Sequence, residues 1–294
     1  MLNKFLVNPA FAGAEGYTSI NMSARKSWLN YKLAPRVVSI SGHTRILSKS
    51  RMSKSRSIKR RTKKRRPKGR VGLGGHIYTD QNAAVSQTGL QGTYAYHIPI
   101  RSSQLSFGLS LSAYQLRFDK EMLSTTEPDP LIDNLQNKFL PDANFGAFYT
   151  IYGFYIGYST AQLFGKFSEF ASNKTDIKVV SGRSHNVLTG YLYDLENDFQ
   201  IEGGLLLNLR EGQNFNAEIT ARGVYLRNYW LGLSYRSSNE MVMFVGGGVQ
   251  NFFFGYSFDI HLTKEQTPSR SSHEVFIGYR FGDNRRRYRW LNRF

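Results

Sequence analysis

The sequence predicts an all-β protein, a transmembrane antiparallel β-barrel of about 14 strands of the outer-membrane type. Three observations lead to this prediction. Apolar residues alternate with polar or small ones along most of the chain, which is the period of a β-strand with two different surroundings. The chain contains 18 Tyr, 21 Phe and 27 Gly, a composition that suits strands joined by tight turns. The connections between the predicted strands also differ systematically in length.

The clearest alternation lies in residues 251–262, NFFFGYSFDIHL. One face of this predicted strand is wholly aromatic or branched, and the other carries an acid, a histidine and small residues. In a membrane barrel the first face meets lipid and the second meets a polar lumen. We therefore expect Asp259 and His261 to face the lumen and five residues to face lipid: Phe252, Phe254, Tyr256, Phe258 and Ile260.

The barrel is predicted to occupy residues 17–282, and no apolar run is long enough for a transmembrane helix. Residues 1–16 are expected to form an irregular segment at or inside its periplasmic end, because Phe5 and Phe11 are too apolar to trail in water. No signal peptide is visible at Met1, so this location requires numbering that begins near a processed chain. Strands are predicted at residues 17–28, 36–46, 70–80, 88–100, 105–118, 143–152, 154–164, 185–195, 199–210, 215–226, 229–236, 240–249, 252–262 and 271–281.

Connection length gives an independent argument for a membrane barrel. Connections after even-numbered strands are mostly tight, such as Gly153 or Arg227-Asn228, and most long ones follow odd-numbered strands. Outer-membrane barrels have short periplasmic turns and longer outer loops, whereas a soluble sandwich has no reason to sort its loops in this way. The exception is the second connection, residues 48–70, which should be an inner turn.

Two segments together hold 18 basic residues, a number equal to the formal net charge of +18. The prediction is a neutral barrel with a basic inserted connection at residues 48–70 and a basic C-terminal tail at 283–294, both periplasmic by strand parity. The basic residues of these segments, with Trp290, are the predicted partner-binding residues: Lys49, Arg51, Lys54, Arg56, Lys59, Arg60, Arg61, Lys63, Lys64, Arg65, Arg66, Lys68, Arg70, Arg285, Arg286, Arg287, Arg289, Trp290 and Arg293.

Acidic lipid headgroups or an acidic periplasmic protein suit these segments electrostatically. A nucleic-acid partner is disfavoured, because the basic connection has no aromatic residue for base stacking. A solvated insertion that binds nothing is the simplest alternative, since blocks of like charge repel one another.

Nothing in the sequence points to catalysis, a cofactor or a metal. The six histidines are scattered, and cysteine is absent. Asp259, His261 and His273 fall on neighbouring predicted strands, but no nucleophile motif accompanies them. Polar residues of the predicted lumen are expected to pair with one another: Arg25, Glu218, Arg222, Arg236, Asp259, His261 and Glu274.

Short motifs follow one another in a specific order along the chain: NPAFAG at 8–13, Arg25…Trp28…Ala34-Pro35, VGLG at 71–74, YAYHIP at 94–99, LSFGL at 105–109, YWLGLSYR at 229–236, GYSFD at 255–259 and HEVFIGYRF at 273–281. In these motifs the chain resembles the PorP/SprF family of outer-membrane proteins, which is associated with type IX secretion and gliding in Bacteroidetes-type bacteria. The resemblance covers essentially residues 3–281, and the long basic connection and Arg-rich tail depart from the family pattern.

The resemblance implies a non-enzymatic barrel of the cell outer membrane that tethers a secreted adhesin or couples to motor components. The implied partners are outer-membrane lipid, other type IX secretion or gliding subunits, and a secreted adhesin or its C-terminal domain. Two alternatives remain open. One is a channel of the fatty-acid-transporter type, in which a barrel of similar size uses an N-terminal plug. A continuous apolar path through the lumen would favour this channel, whereas ion pairs across the lumen would favour the anchor. An outer-membrane hydrolase would show lipase activity.

Overall fold

Fourteen antiparallel strands close into one barrel in the computed structural model, which describes residues 3–28, 34–46, 70–119, 137–165, 182–195, 198–262 and 271–282. The predicted fold class is therefore confirmed. No helix in these ranges is long and apolar enough to cross a membrane. The strands are β1 (Thr18–Ser27), β2 (Arg36–Ile46), β3 (Arg70–Asn82), β4 (Val85–Ile100), β5 (Ser103–Phe118), β6 (Lys138–Ile151), β7 (Phe154–Ala161), β8 (Ser184–Asp194), β9 (Phe199–Arg210), β10 (Asn216–Tyr225), β11 (Tyr229–Arg236), β12 (Glu240–Val249), β13 (Phe252–His261) and β14 (Ser271–Phe281).

Spatial order follows chain order around the whole ring. Each strand pairs with the next, and the ring closes where β1 pairs with β14, in a register that matches Thr18 with Phe281 and Ser27 with Ser272. We call this β1–β14 pairing the seam. Closure leaves no sheet edge along the paired length, which is what a strand wall in hydrocarbon requires.

The two ends of the barrel differ in their connections. The short-turn end, as we name it, carries the tight turns 101–102, 152–153, 226–228 and 250–251. The opposite, long-loop end carries the connections 119–137, 162–183 and 262–270, together with the tight β3–β4 turn at 83–84. The connection between β2 and β3 belongs to the short-turn end, as does the start of β1.

Alternation along each strand separates two surfaces, and β13 illustrates it. Phe252 and Phe254 are 48% and 50% exposed on the outer surface, whereas Ser257 and Asp259 are buried toward the lumen. Phe258 and Ile260 share the outer face and are partly covered. The outer surface is apolar on neighbouring strands as well, as the membrane-facing wall of a barrel must be.

The N-terminal segment, residues 3–16, lies inside the barrel, and we call it the plug. It was expected to be irregular, but it contains a short helix, α1 (Lys4–Val7), and a 3-10 turn, Pro9–Phe11. The second turn forms because the Asn8 side chain accepts a hydrogen bond from Ala10 N and Pro9 occupies the first helical position. Buried apolar residues of the plug form one cluster with the wall: Phe5, Ala10, Phe11, Ala12, Ala14, Ala95, Phe148, Tyr155 and Leu188.

Candidate functional site: a plugged and charged lumen

Asn8 joins the plug to two wall strands at once. Its side-chain amide donates to the carbonyl oxygens of Ala147 on β6 (3.0 Å) and Tyr158 on β7 (3.1 Å). Its Oδ1 accepts from Ala10 N at 2.9 Å. Asn8 is only 1% exposed, and an unpaired amide at that depth is costly. The complete pairing of this side chain therefore fixes the position of the plug against β6 and β7.

The carbonyl groups that follow the 3-10 turn are held by side chains from β2 and β4. His97 Nε2 donates to Ala12 O at 2.9 Å. Arg45 Nε donates to Gly13 O at 2.7 Å. Arg45 Nη2 donates both to Ala14 O at 3.0 Å and to Gln104 Oε1 at 2.9 Å. These donors replace the water that backbone carbonyls would otherwise require, so this stretch stays buried without orphaned acceptors.

Glycines in the wall give the plug its room. A Cβ at Gly72 would overlap Ala12 O, and one at Gly108 would overlap the backbone of Pro9 and Ala10. Because the obstacles are backbone atoms, they cannot turn aside as a flexible side chain would. The wall at β3 and β5 is therefore shaped for close approach of the plug backbone.

The other end of the plug is tied to β9 by charge. Lys4 Nζ lies 2.9 Å from Glu202 Oε1, and Glu202 also pairs with Arg222 of β10. The Tyr155 hydroxyl donates to the same carboxylate at 2.9 Å, and Lys4 Nζ lies 3.8 Å from the Tyr155 ring centroid. A carboxylate shared by two cations and a hydroxyl is stabilised in its buried position, so it anchors α1 to the wall two strands away from β7, which Asn8 holds.

A second ionic cluster lines the lumen near the long-loop end, and we call it the ionic cluster. Arg25 of β1 lies 2.7 Å from Asp259, which Arg236 of β11 also approaches at 3.3 Å. Further pairs are Arg236–Glu218 at 2.8 Å, Arg236–Glu240 at 2.9 Å, His261–Glu240 at 3.4 Å and Arg25–Glu274 at 3.9 Å. Four carboxylates thus face two guanidinium groups, which leaves this part of the lumen acidic.

Two cavities flank the plug. A cavity of about 160 Å³ lies toward the short-turn end and is lined by Trp230, Arg227 and Arg280 among others. A cavity of about 250 Å³ lies toward the long-loop end, where residues of the ionic cluster line it. Asn3 and Phe276 line both cavities, so the two spaces approach each other beside the plug.

The structure brings the predicted lumen residues together in two groups. Six of them share the ionic cluster, and Arg222 lies apart, with Glu202. The sequence prediction does not include Lys4, Glu202 or His97. A period of two indicates which face of a strand a residue occupies, but it does not indicate which residue that side chain contacts. Asn8 enters the sequence prediction only as part of the NPAFAG motif at 8–13, although an Asn before Pro is a recognisable capping signal.

The residues considered for a hydrolase do not converge. Asp259 and His261 face the lumen, whereas His273 lies on the outer face of β14, where its Nδ1 is 2.5 Å from the Tyr256 hydroxyl. Within the described ranges, no three His, Asp or Glu side chains are grouped as ligands of a metal ion. Of the predicted partner-binding residues, Arg70 begins β3, and all the others lie outside the described residues.

Solved structures that resemble this chain are outer-membrane barrels. The outer membrane protein Omp33 of Acinetobacter baumannii superposes with a TM-score of 0.50 at 6% identity, covering 90% of this chain and 99% of that one. The toluene transporter TbuX of Ralstonia pickettii gives 0.51 at 9% identity, with 94% and 92% covered. At such identities the likeness concerns the fold alone.

Among curated protein sequences, none matches this chain. The model of the type IX secretion system membrane protein family PorP/SprF matches residues 1–279. That match takes in the plug and nearly all fourteen strands. The chain therefore belongs to the PorP/SprF family of type IX secretion system membrane proteins, and it is a barrel of the outer membrane.

Proposed function

We propose that this protein is a non-enzymatic anchor and accessory subunit of the type IX secretion and gliding machinery. In this role it holds a secreted adhesin at the cell surface or couples the outer membrane to periplasmic components. The observation that carries the proposal is the plug, which is bonded to β2, β4, β6, β7 and β9 and fills part of the lumen as a fixed element.

Ion pairs across the lumen support the same function. The ionic cluster joins β1 to β11 and β13 through Arg25, Asp259 and Arg236. Asp259 is only 2% exposed, and removing its cationic partners would leave a buried charge uncompensated, so such a cluster is suited to a fixed scaffold. It is poorly suited to the passage of apolar solutes.

A diffusion channel is the second candidate, and one observation favours it. The two cavities approach each other at Asn3 and Phe276, so a small shift of α1 would join them. Solute uptake by vesicles that contain the wild-type protein separates the two functions. Retention of small solutes supports the anchor, and steady uptake supports the channel.

Coupling to the periplasm is assigned to the basic connection and the basic tail. The short-turn end is assigned to the periplasm, because the short turns of outer-membrane barrels generally lie on the periplasmic side. In the closed ring β1 lies between β14 and β2, so the tail and the connection follow strands that only one strand separates. An acidic periplasmic partner would relieve the repulsion between two basic segments at that place.

The test removes residues 49–68 or replaces their basic residues with Gln at unchanged length. Both variants should assemble, because the strand wall begins only at Arg70. A mild-detergent pull-down with mass spectrometry should recover the periplasmic partner with the wild-type protein and lose it with both variants. Wild-type recovery should fall steeply with salt, since the Debye length shrinks from about 10 Å at 0.1 M to about 3 Å at 1 M.

Two results would overturn the periplasmic assignment. One is equal partner recovery with the length-matched neutral variant. The other is labelling of a Ser57→Cys variant by a membrane-impermeant reagent on intact cells, because that would place the connection outside.

A further inference from the structure

A row of cationic side chains crosses the outer surface of the barrel at the long-loop end of the seam. Arg36 of β2 is the register partner of Lys26 of β1, and Lys26 is the register partner of His273 of β14. All three lie on the outer face, where Arg36 and Lys26 are exposed. The two cations Arg36 and Lys26, with the imidazole of His273 beside them, are called the cationic row below.

The cationic row carries no compensating acid among the described residues. Arg36 Nε donates to Gln81 of β3 at 2.6 Å, and His273 contacts the Tyr256 hydroxyl, but neither Arg36 nor Lys26 has an ion pair there. Directly opposed side chains have Cβ atoms about 4.5–5.5 Å apart, and like charges at that separation destabilise a sheet. The lumen-facing neighbour Arg25, by contrast, is paired with Asp259.

The outer surface next to the cationic row is aliphatic on β1, β2 and β14, although His273 lies beside the Phe258 ring on its β13 side. Toward the middle of the barrel, β1 presents Ile20 and Met22, β2 presents Val38 and Ile40, and β14 presents Val275 and Ile277. All six are between 42% and 51% exposed. The outer faces of β1 and β2 carry no aromatic residue, whereas β13 presents Phe252, Phe254 and Tyr256. This part of the wall is thus an aliphatic strip with a positive end.

We propose that the cationic row binds the phosphates of an acylated, phosphorylated saccharide lipid of the outer leaflet, the lipid A class, whose acyl chains lie along the aliphatic strip. Neighbouring strands are about 4.8 Å apart, so the row spans about 10 Å. That is wider than one phosphate needs and suits a headgroup with more than one. Arg36 supplies a planar fork for bidentate contact and Lys26 a compact charge. The phosphate anions of the lipid offset the repulsion between Lys26 and Arg36, which are register partners.

This assignment rests on the long-loop end being the outer one, but it does not depend on the role of the barrel in secretion. A failure of lipid binding therefore leaves the partner experiments above intact. A failure of those experiments, in turn, leaves the lipid site intact.

The test is native mass spectrometry of the purified barrel in detergent. Diphosphoryl lipid A is compared with its dephosphorylated form, with phosphatidylglycerol and with inorganic phosphate. The wild-type protein should retain diphosphoryl lipid A in preference to the other three. The Lys26→Gln/Arg36→Gln variant should bind it at least about tenfold more weakly, because at least one charge-assisted contact is lost.

Arg117→Gln is the matched control. Arg117 is an exposed residue at the long-loop end of β5, but its register partner on β4 is Ser86, so the control removes a cation whose described register partner is uncharged. It should leave lipid affinity unchanged. Equal wild-type retention of the dephosphorylated lipid would overturn the proposal without any variant, and so would unchanged affinity in the folded double variant.

Discussion

Phe254 and Ser257 lie on opposite faces of β13, and exchanging each for Arg tests the assignment of those faces. Phe254 is 50% exposed on the outer surface, whereas Ser257 borders the acidic cavity that contains Asp259 and Glu274. A charge facing the bilayer midplane costs roughly 2–4 kcal/mol, but an added cation beside the carboxylates is tolerated. Phe254→Arg should therefore reduce the heat-modifiable folded band on gels, and Ser257→Arg should not. Equal assembly of the two variants would contradict the assigned faces.

Gly108 tests the close approach between the wall and the plug. A methyl group there meets the backbone of Pro9 and Ala10, whereas one at Gly92 meets no atom within 4 Å. Overpacking of this kind costs about 1–3 kcal/mol, and displacing the plug is one way to relieve it. Gly108→Ala should make the plug sensitive to trypsin at Lys4 in the folded barrel, and Gly92→Ala should remain resistant like the wild type. A resistant Gly108→Ala variant would argue against tight packing at this point.

The period of two predicts the direction of a side chain but not its distance from others. It was enough to place Asp259 and His261 in the lumen, since both lie on one strand. It could not show that Lys4 meets Glu202, because that pairing depends on the path of the plug across the barrel. It also could not show that Arg222 pairs with Glu202, which a neighbouring strand contributes.

At the scale of elements, the plug is the part whose removal has the sharpest consequence. Deleting residues 3–13 removes Lys4 and Asn8, while Glu202 keeps its pairing with Arg222. The fourteen strands should still close, and the freed lumen should conduct ions in planar bilayers at levels clearly above those of the intact protein. Leu6→Ser is the control, since Leu6 is 42% exposed and its side chain bonds nothing in the wall. If deletion and control conduct alike, the plug does not close the lumen.

Among the strand starts, those of β4 and β6 differ most from the predicted ones, and local chemistry explains both. The start of β4 was placed too late, because Ala83 and Ala84 form the turn without Gly or Asn, and Ala83 takes a left-handed φ of 49°. The start of β6 was also placed too late, because Pro141 indicates a break. Pro141 nonetheless pairs with Ala113 of β5, whereas the described pairing with β7 begins only at Phe145. A proline is tolerated where a strand has one free side.

At the scale of the whole molecule, strand number and closure could be predicted because they follow from counting alternating segments and sorting connections by length. The sorting has exceptions, since the β2–β3 connection at the short-turn end is long and the β3–β4 and β11–β12 turns at the long-loop end are tight. The interior could not be predicted in the same way, since it depends on contacts between residues far apart in the chain. Asn8 and Tyr158, for example, are 150 positions apart.

The seam also decides the order in which the barrel can be assembled. The plug leads directly into β1, and most of its partners lie on β2 to β7, so the early strands can gather around it while the ring is still open. Pairing of β1 with β14 joins the two ends of the chain, and contacts so distant in sequence form late because of the loop entropy they must overcome. A ring closed first would require the N-terminus to thread in afterwards. The early strands therefore pack around the plug, and the β1–β14 pairing then encloses it in the barrel.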